Sequence, residues 1–316
     1  MPADDARRRA SPLPDRVRHA CAQVAARARS VRVVEERIES YAAALPTPAD
    51  VPGLDPQARF VHGDRDAVIA FILCLDAINF GSGWWPTVRK RPGRSGYLTM
   101  ASGLADRFRA AGAYPADELA EIEAAEVAAV LGQDPGHELM ALFAASLRVL
   151  GGHVRDEADG SFARVVDAAA GSAVALATAL AGWACFADVS PYDELEVPFY
   201  KRAQLTAADL QGAGVARFSD LHRLTAFADN LVPHVLALDG VLALDPRLAE
   251  RIAAEQLLVH DSPEEVELRA CALHAVERLA AASSLSAAEV DMVLWTRGQE
   301  PRCKARPRPR ARTTAY

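Results

Sequence analysis

Apolar residues recur at helical spacing along most of this chain. Helix formers run from Asp15 to Leu45, with Val17, Cys21, Val24 and Ala25 at recurring apolar positions. Residues 66–80 are strongly apolar and end at "GSGWWP" (81–86), which reads as a loop. Helix returns in "GYLTMASGLADRFRAAG" (96–112), which closes on glycine, a usual C-terminal stop. "PADELAEIEAAEVAAVLG" (115–132) and "HELMALFAASLRVLGG" (137–152) follow the same rule, and helices are also predicted over 161–186, 246–258, 263–282 and 286–296. Short β-type runs are nearly absent, and no period repeats. The pattern predicts an all-α architecture with short connections. Residues 1–13, charged and proline-bearing, are expected to be disordered, and "PTPADVPGLDP" (46–56) to be a loop. Residues 14–316 then form one helical domain, or two subdomains meeting at a cleft.

Composition narrows the function classes. A 316-residue chain that is 51% hydrophobic has material for a sizeable core. The formal charge of −7 argues against sequence-independent binding of duplex nucleic acid, while leaving room for a small anion in a local basic pocket. No apolar segment follows a basic start as in a signal peptide, and the small residues of 168–183 suit a buried helix better than a membrane span. Five widely spaced cysteines lack metal-type spacing, so reduced thiols in a cytoplasm are expected.

Three stretches carry candidate chemistry. In "FILCLDAINFGSGWWP" (71–86), Asp76 and Asn79 are three apart and share a helix face, with Phe80, Trp84 and Trp85 following. This is either a helix end with its aromatics in the core, or a pocket whose buried carboxylate needs N–H donors and whose aromatic walls stack on a flat ring. In "VPFYKRAQLTAADL" (197–210), Lys201 and Arg202 follow Phe199 and Tyr200 at a helix start. Such a pair is either solvated or awaits an anion, because cations are disfavoured at helix N-termini. In "LTAFADNLVPHVL" (224–236), Pro233 fits only a first helical turn, which puts Asp229 at or just before the N-cap and Asn230 near the start. Asp229 is either a plain cap or a carboxylate aimed into a cleft, able to stabilise an oxocarbenium-like transition state or orient water. In 264–279, an i,i+4 salt bridge accounts for Glu265 and Arg269, and His274 reads as a core histidine. No P-loop, Rossmann glycine signature, zinc spacing or nucleophile elbow occurs.

Taken in order, these blocks resemble the queuosine salvage family, the queuosine 5′-phosphate N-glycosidases. Asp76, Asn79 and Phe80 followed by Trp84/Trp85 match its Asp-x-x-Asn-Phe…Trp pattern, and "RSGY" (94–97) matches its Ser-Gly-Tyr turn. Phe199–Gln204 completes a Phe-Tyr-Lys-Arg-Ala-Gln block, with Asp209 at a later acidic position. Phe227, Ala228 and Asp229 match a Phe-Ala-Asp block, and Pro233, Val235 and Leu236 follow in step. "EVELRACALHAVE" matches the next block, and Asp291, Leu294 and Trp295 an Asp…Leu-Trp segment. Arg310, Arg312 and Tyr316 fall where the family keeps Arg, Arg and a terminal Tyr. Asn230 stands where the family usually has Tyr, Pro309 where His is common, and the loop after Phe80 carries extra glycine and tryptophan.

The resemblance implies an all-helical fold similar to the helix-hairpin-helix DNA glycosylases. It implies hydrolysis of queuosine 5′-monophosphate to queuine and ribose 5-phosphate, with a small-molecule substrate and no metal or organic cofactor. The base, a 7-deazaguanine, lacks N7, so cleavage must be driven from the sugar side. By resemblance Asp229 and Lys201 are the catalytic pair. Asp76, Asn79, Phe80, Trp84, Trp85, Tyr200, Arg202 and Asn230 bind substrate, with Lys201 and Arg202 candidates for the phosphate or for a charge network around Asp229. Two other classes are a helix-hairpin-helix DNA glycosylase, which needs a basic face, and a non-catalytic helical scaffold, which needs no buried polar cluster. Composition makes the basic, proline-rich end (301–316) a solvated tail. The match at its last residues instead leads us to expect 308–316 docked on the body.

Overall fold

The computed structural model describes residues 11–47, 55–61 and 63–316. The expected disorder of the start falls largely on residues 1–10, and the expected loop at 46–56 largely on 48–54; both spans lie outside the described residues. Leu13 is already buried in the first helix.

Helix α1 (Leu13–Ala25) buries Leu13, Val17, Cys21 and Val24, a single stripe at helical spacing. The helical stretch expected over 15–45 does not continue. Strand β1 (Val31–Val33) interrupts it before α2 (Glu35–Ala43). Alternating valines suit a strand, and a partner 213 residues on supplies the ladder: Val31 lies opposite Leu244 of β4 (Leu242–Leu244). A second pair of strands, β2 (Val189–Tyr192) and β3 (Leu195–Pro198), forms a hairpin. The expected all-α chain is therefore mostly helical, with two small two-stranded sheets.

Helix α3 (Arg65–Ala77) is capped by Asp64, which accepts from Ala67 N at 2.8 Å, and every residue from Val68 to Ala77 is buried. A helix apolar on all sides belongs in the centre of a core. Helix α4 (Gly96–Ala111) runs from a Ser95 cap to Gly112 as the pattern predicts. The single helix expected over 115–132 is two, α5 (Ala116–Glu121) and α6 (Ala124–Leu131), broken where Ile122 turns extended and its carbonyl accepts from Arg148 Nη1 at 2.8 Å. Helix α7 (Glu138–Ala158) passes through the Gly151–Gly152 pair that was expected to stop it. Gly151 is there for close approach: a Cβ would collide with the backbone of Ala120 in α5.

The helix expected over 161–186 is also split, into α8 (Phe162–Asp167) and α9 (Ala173–Ala181), at left-handed Ala170 (φ 49°) and Gly171 (φ 77°). Asp220 restarts it from a distance, accepting from Ala173 N and Ser172 Oγ at 2.6 Å each. There follow α10 (Lys201–Gly212), α11 (Leu231–Leu238), α12 (Pro246–Ala253), α13 (Pro263–Ala281), α14 (Ala287–Arg297) and the single turn α15 (Pro301–Lys304). Helix α12 stops five residues short of expectation, and "GSGWWP" contains a 3-10 turn at Ser82–Trp84.

The buried side chains form two clusters, one built on α3, α4 and α7 and one built on α13 with α1 and α11. The last residues bridge them, contrary to the solvated tail that composition suggests. Leu258 N donates to Arg310 O at 2.8 Å, Gly81 N donates to Tyr316 O at 3.2 Å, and Ala311, Thr313 and Tyr316 are buried. No described helix is long and apolar enough to cross a membrane.

Candidate active site

Helix α10 begins with a remote cap. The β2–β3 hairpin returns the chain to Tyr200, which sits left-handed (φ 49°), and Lys201 N then donates to Asp188 Oδ2 at 3.0 Å. Lys201 is thereby turned inward, 6% exposed, with Nζ donating to Asn79 O at 3.2 Å. Burial pulls its ammonium below the usual range, while Asp229 and Asp76 oppose that shift.

Asp229 closes the segment that leads into α11. That segment is fixed by Gln204, whose amide exchanges hydrogen bonds with Thr225 at 2.9 and 3.0 Å. Phe227 N donates to Asp291 Oδ1 at 2.9 Å, and Ala228 O accepts from Arg269 Nε at 3.0 Å. Asp229 Oδ1 then accepts from Leu231 N at 2.7 Å and Val232 N at 2.9 Å, one residue outside the Asn230 N-cap. Pro233 in that first turn has no N–H to compete for the carboxylate. One oxygen is thus committed to the helix. The residue lines a cavity of about 790 Å³, large enough for a nucleotide-sized ligand.

The structure brings six of the ten expected site residues onto this cavity: Asn79, Phe80, Trp85, Lys201, Asp229 and Asn230. Asp76, Trp84, Tyr200 and Arg202 do not line it. Arg202 is 2% exposed and donates to three main-chain carbonyls, Ala77 O at 2.6 Å, Thr314 O at 2.7 Å and Ala315 O at 3.2 Å. It ties the α3 end to the C-terminal segment, so its side chain is not on offer to a ligand. Trp84 donates from Nε1 to Glu138 Oε2 at 2.8 Å, and Tyr200 packs between the two cores.

Asp76 is fully buried, and neither of its oxygens has a hydrogen-bond partner in good geometry, although Thr206 and Asn79 are near enough to favour its charged form. Burial, then the charge of Asp209, push its carboxyl well above the ordinary range. Asp209 lines the cavity in front of it, and burial pushes it up to about 6 against the pull of Arg59 and Lys201. Asp291, across the cavity on α14, is also pushed well above the ordinary range, by burial and then by Asp229. Three of the four carboxyls around Lys201 are thereby shifted toward their neutral form.

Several wall residues had no role in the sequence reading. Tyr97 and Trp295 meet edge to face, ring centres 5.9 Å apart, and both line the cavity. Tyr97, Asp209, Asp291 and Trp295 all stand in the matched blocks, so the signal was present without a role attached. Arg59 and Arg308 also line the cavity, and no motif marked either one.

The arrangement is a cavity with aromatic walls, the carboxyls of Asp209 and Asp291, and a helix-anchored carboxylate near a lysine. That combination can grip the N–H edge of a flat base and stabilise positive charge on an attached sugar. Comparison with known proteins agrees with this chemistry. A family model described as queuosine salvage protein matches residues 60–316. A Sphaerobacter thermophilus protein named queuosine 5′-phosphate N-glycosylase/hydrolase is 35% identical over 297 residues, 90% of this chain and 91% of that one. A Dictyostelium discoideum protein of the same name is 30% identical over 260 residues, 78% of this chain and 77% of its own. One from Nematostella vectensis is 29% identical over 243 residues, 70% of this chain and 68% of its own.

Proposed function

The chain belongs to the queuosine salvage protein family, and from that premise we propose that it hydrolyses the N-glycosidic bond of queuosine 5′-phosphate, releasing queuine and ribose 5-phosphate. The observation that carries this reading is Asp229: a carboxylate on the wall of a nucleotide-sized cavity, with one oxygen fixed by two helix N–H groups. The other oxygen faces the reacting sugar. As the C1′–N9 bond breaks, its electron pair leaves with the base and C1′ becomes oxocarbenium-like. Asp229 stabilises that charge and orients the water whose oxygen ends on C1′, while the base gains one proton.

Lys201 acts in the same charge network. Asp229 is the foremost charge that holds its ammonium against burial, which suits a positioning cation beside that carboxylate and not a phosphate ligand. The flat base lies against Phe80, Trp85, Tyr97 and Trp295, all on the cavity wall. Asp209, backed by Asp76, accepts from the N–H donors of the pyrimidine edge, and Asn79 completes the polar contacts. All five cysteines are buried and free, in keeping with a reducing cytoplasm, where we place the reaction.

The test is direct. Purified protein is incubated with queuosine 5′-phosphate, queuosine and guanosine 5′-phosphate, and free base is followed by chromatography. Queuine released from the first, with no guanine from the third, is the expected result. No base from any of them rejects the reading.

A further inference from the structure

We propose that Arg308, supplied by the C-terminal segment, is the side chain that receives the 5′-phosphate of the substrate; the inference rests on the nucleotide hydrolase reading above. The cavity wall carries four side chains able to bear positive charge: Lys201, Arg59, His222 and Arg308. Lys201 is engaged by Asn79 O at 3.2 Å and held by the field of Asp229, so a phosphate beside it would compete with that carboxylate. Arg59 is coupled to Asp209 and Tyr97, which places it at the base-gripping side. His222 is exposed.

Arg308 differs from all three. Its Nε is buried and meets no hydrogen-bond partner. No carboxylate lies within ion-pair distance of its guanidinium among the described residues. Its electrostatic neighbours are Arg310 and Asp229, so it stands on the same side of the cavity as the sugar-facing carboxylate. Burial and the second arginine both work against its charge, and the usual guanidinium value is lowered. A half-buried cation with an idle donor and a like-charged neighbour is suited to receive an anion. A phosphate dianion satisfies the donor and offsets the repulsion between Arg308 and Arg310.

The main chain holds Arg308 where this requires. Pro309 O accepts from Asn230 Nδ2 at 2.8 Å, next to Asp229, and Arg310 O accepts from Leu258 N at 2.8 Å. The segment is therefore pinned at the two residues that follow Arg308, and its distance from the catalytic carboxylate is set by the fold. The same docking that buries Tyr316 thus delivers a specificity group, and the C-terminal residues become part of the substrate site.

The experiment compares wild type with Arg308→Ala and Arg308→Gln, each first confirmed as folded by its melting transition. Binding of ribose 5-phosphate and of queuine is measured separately by calorimetry, and kcat/KM is measured on queuosine 5′-phosphate. Loss of a charge-assisted hydrogen bond weakens ribose 5-phosphate binding and kcat/KM by about 10- to 100-fold, with queuine affinity unchanged within about twofold. Arg308→Lys, which keeps the charge without the fork, recovers part of the loss. Unchanged ribose 5-phosphate binding, or equal weakening of both ligands, overturns the assignment. Should wild-type protein release no queuine at all, the hydrolase reading fails by itself, and the two binding measurements still decide the role of Arg308.

Discussion

Asp188 and Asp229 each cap a helix, the first from thirteen residues away in sequence and the second from two. Their remaining bonds diverge. Asp188 Oδ2 also accepts from Arg269 Nη2 at 2.8 Å, and both partners are about 1% exposed. Arg269 is in turn sandwiched between the rings of Phe199 and Tyr316, 3.9 and 4.2 Å from their centres. The charge of Asp188 is consumed by the fold. Asp229 has no cation within ion-pair distance among the described residues, and it faces the cavity. A helix start that closes on an internal arginine is structural; one that opens on empty space is available for chemistry.

The largest expected effect tests the structural member. Asp188→Ala leaves Arg269 buried without its carboxylate, which costs on the order of 3–5 kcal/mol of stability. Urea denaturation should show this loss. A stable Asp188→Ala protein with abolished turnover would reverse the roles drawn here. Next comes Asp229→Asn, which retains a capping oxygen but not the charge. Turnover should fall by roughly 100-fold or more while the melting temperature holds, as for loss of one well-aimed electrostatic group. A collapse in stability comparable to that of Asp188→Ala would erase the distinction between the two helix starts.

Asp209 sharpens the comparison, because it is a cavity carboxyl without a helix to cap. Its folded value of about 6 lies above the ordinary aspartate value of 3.8. The folded state therefore binds the proton more tightly, and the stabilisation is full below about pH 4 and is lost as the pH rises through about 6. Asp209→Asn removes that loss. It should raise the melting temperature at pH 7.5 by about 2–4 °C, with the gain shrinking at pH 5. The same variant should bind queuine more weakly, since an ionised acceptor is gone. A lower melting temperature at pH 7.5 would refute this account. The smallest effect sets the scale. Asp167 pairs with Arg65 at 2.7 Å in the open, both side chains more than 40% exposed. Asp167→Ala should change stability by less than about 1 kcal/mol and leave turnover unaltered.

The site was partly legible before the fold was known. Pro233 restricted where α11 could begin, and that constraint alone put Asp229 beside a helix start. The "YKR" run was not resolvable in the same way. Successive helical residues point about 100° apart, so Lys201 and Arg202 need not face the same cavity. Nothing local says which of them faces it. The answer comes from the carbonyls of Ala77, Thr314 and Ala315, which claim Arg202 from distant parts of the chain. Arg308 was invisible for the same reason: in composition it is one more arginine in a basic, proline-rich end.

By itself, then, the sequence determined the elements whose causes are local. The apolar stripe of α1, the all-round burial of α3, the Ser95 start and Gly112 end of α4, and the Ser286–Glu289 capping box of α14 each follow from residues within a turn or two of one another. Only tertiary structure decided where partners lie far away. It paired Val31 with Leu244 and broke the helices at Ile122 and Ala170, where Arg148 and Asp220 supply alternatives to the helical bond. It also carried α7 through its glycines and folded the charged C-terminus onto the body. Periodicity records which side of an element is apolar, because side chains three and four apart share a face. It carries no record of which remote donor, carbonyl or ring will meet that face. In this chain those remote meetings turn a row of helices into a cavity that Asp229 faces with one oxygen held by its helix.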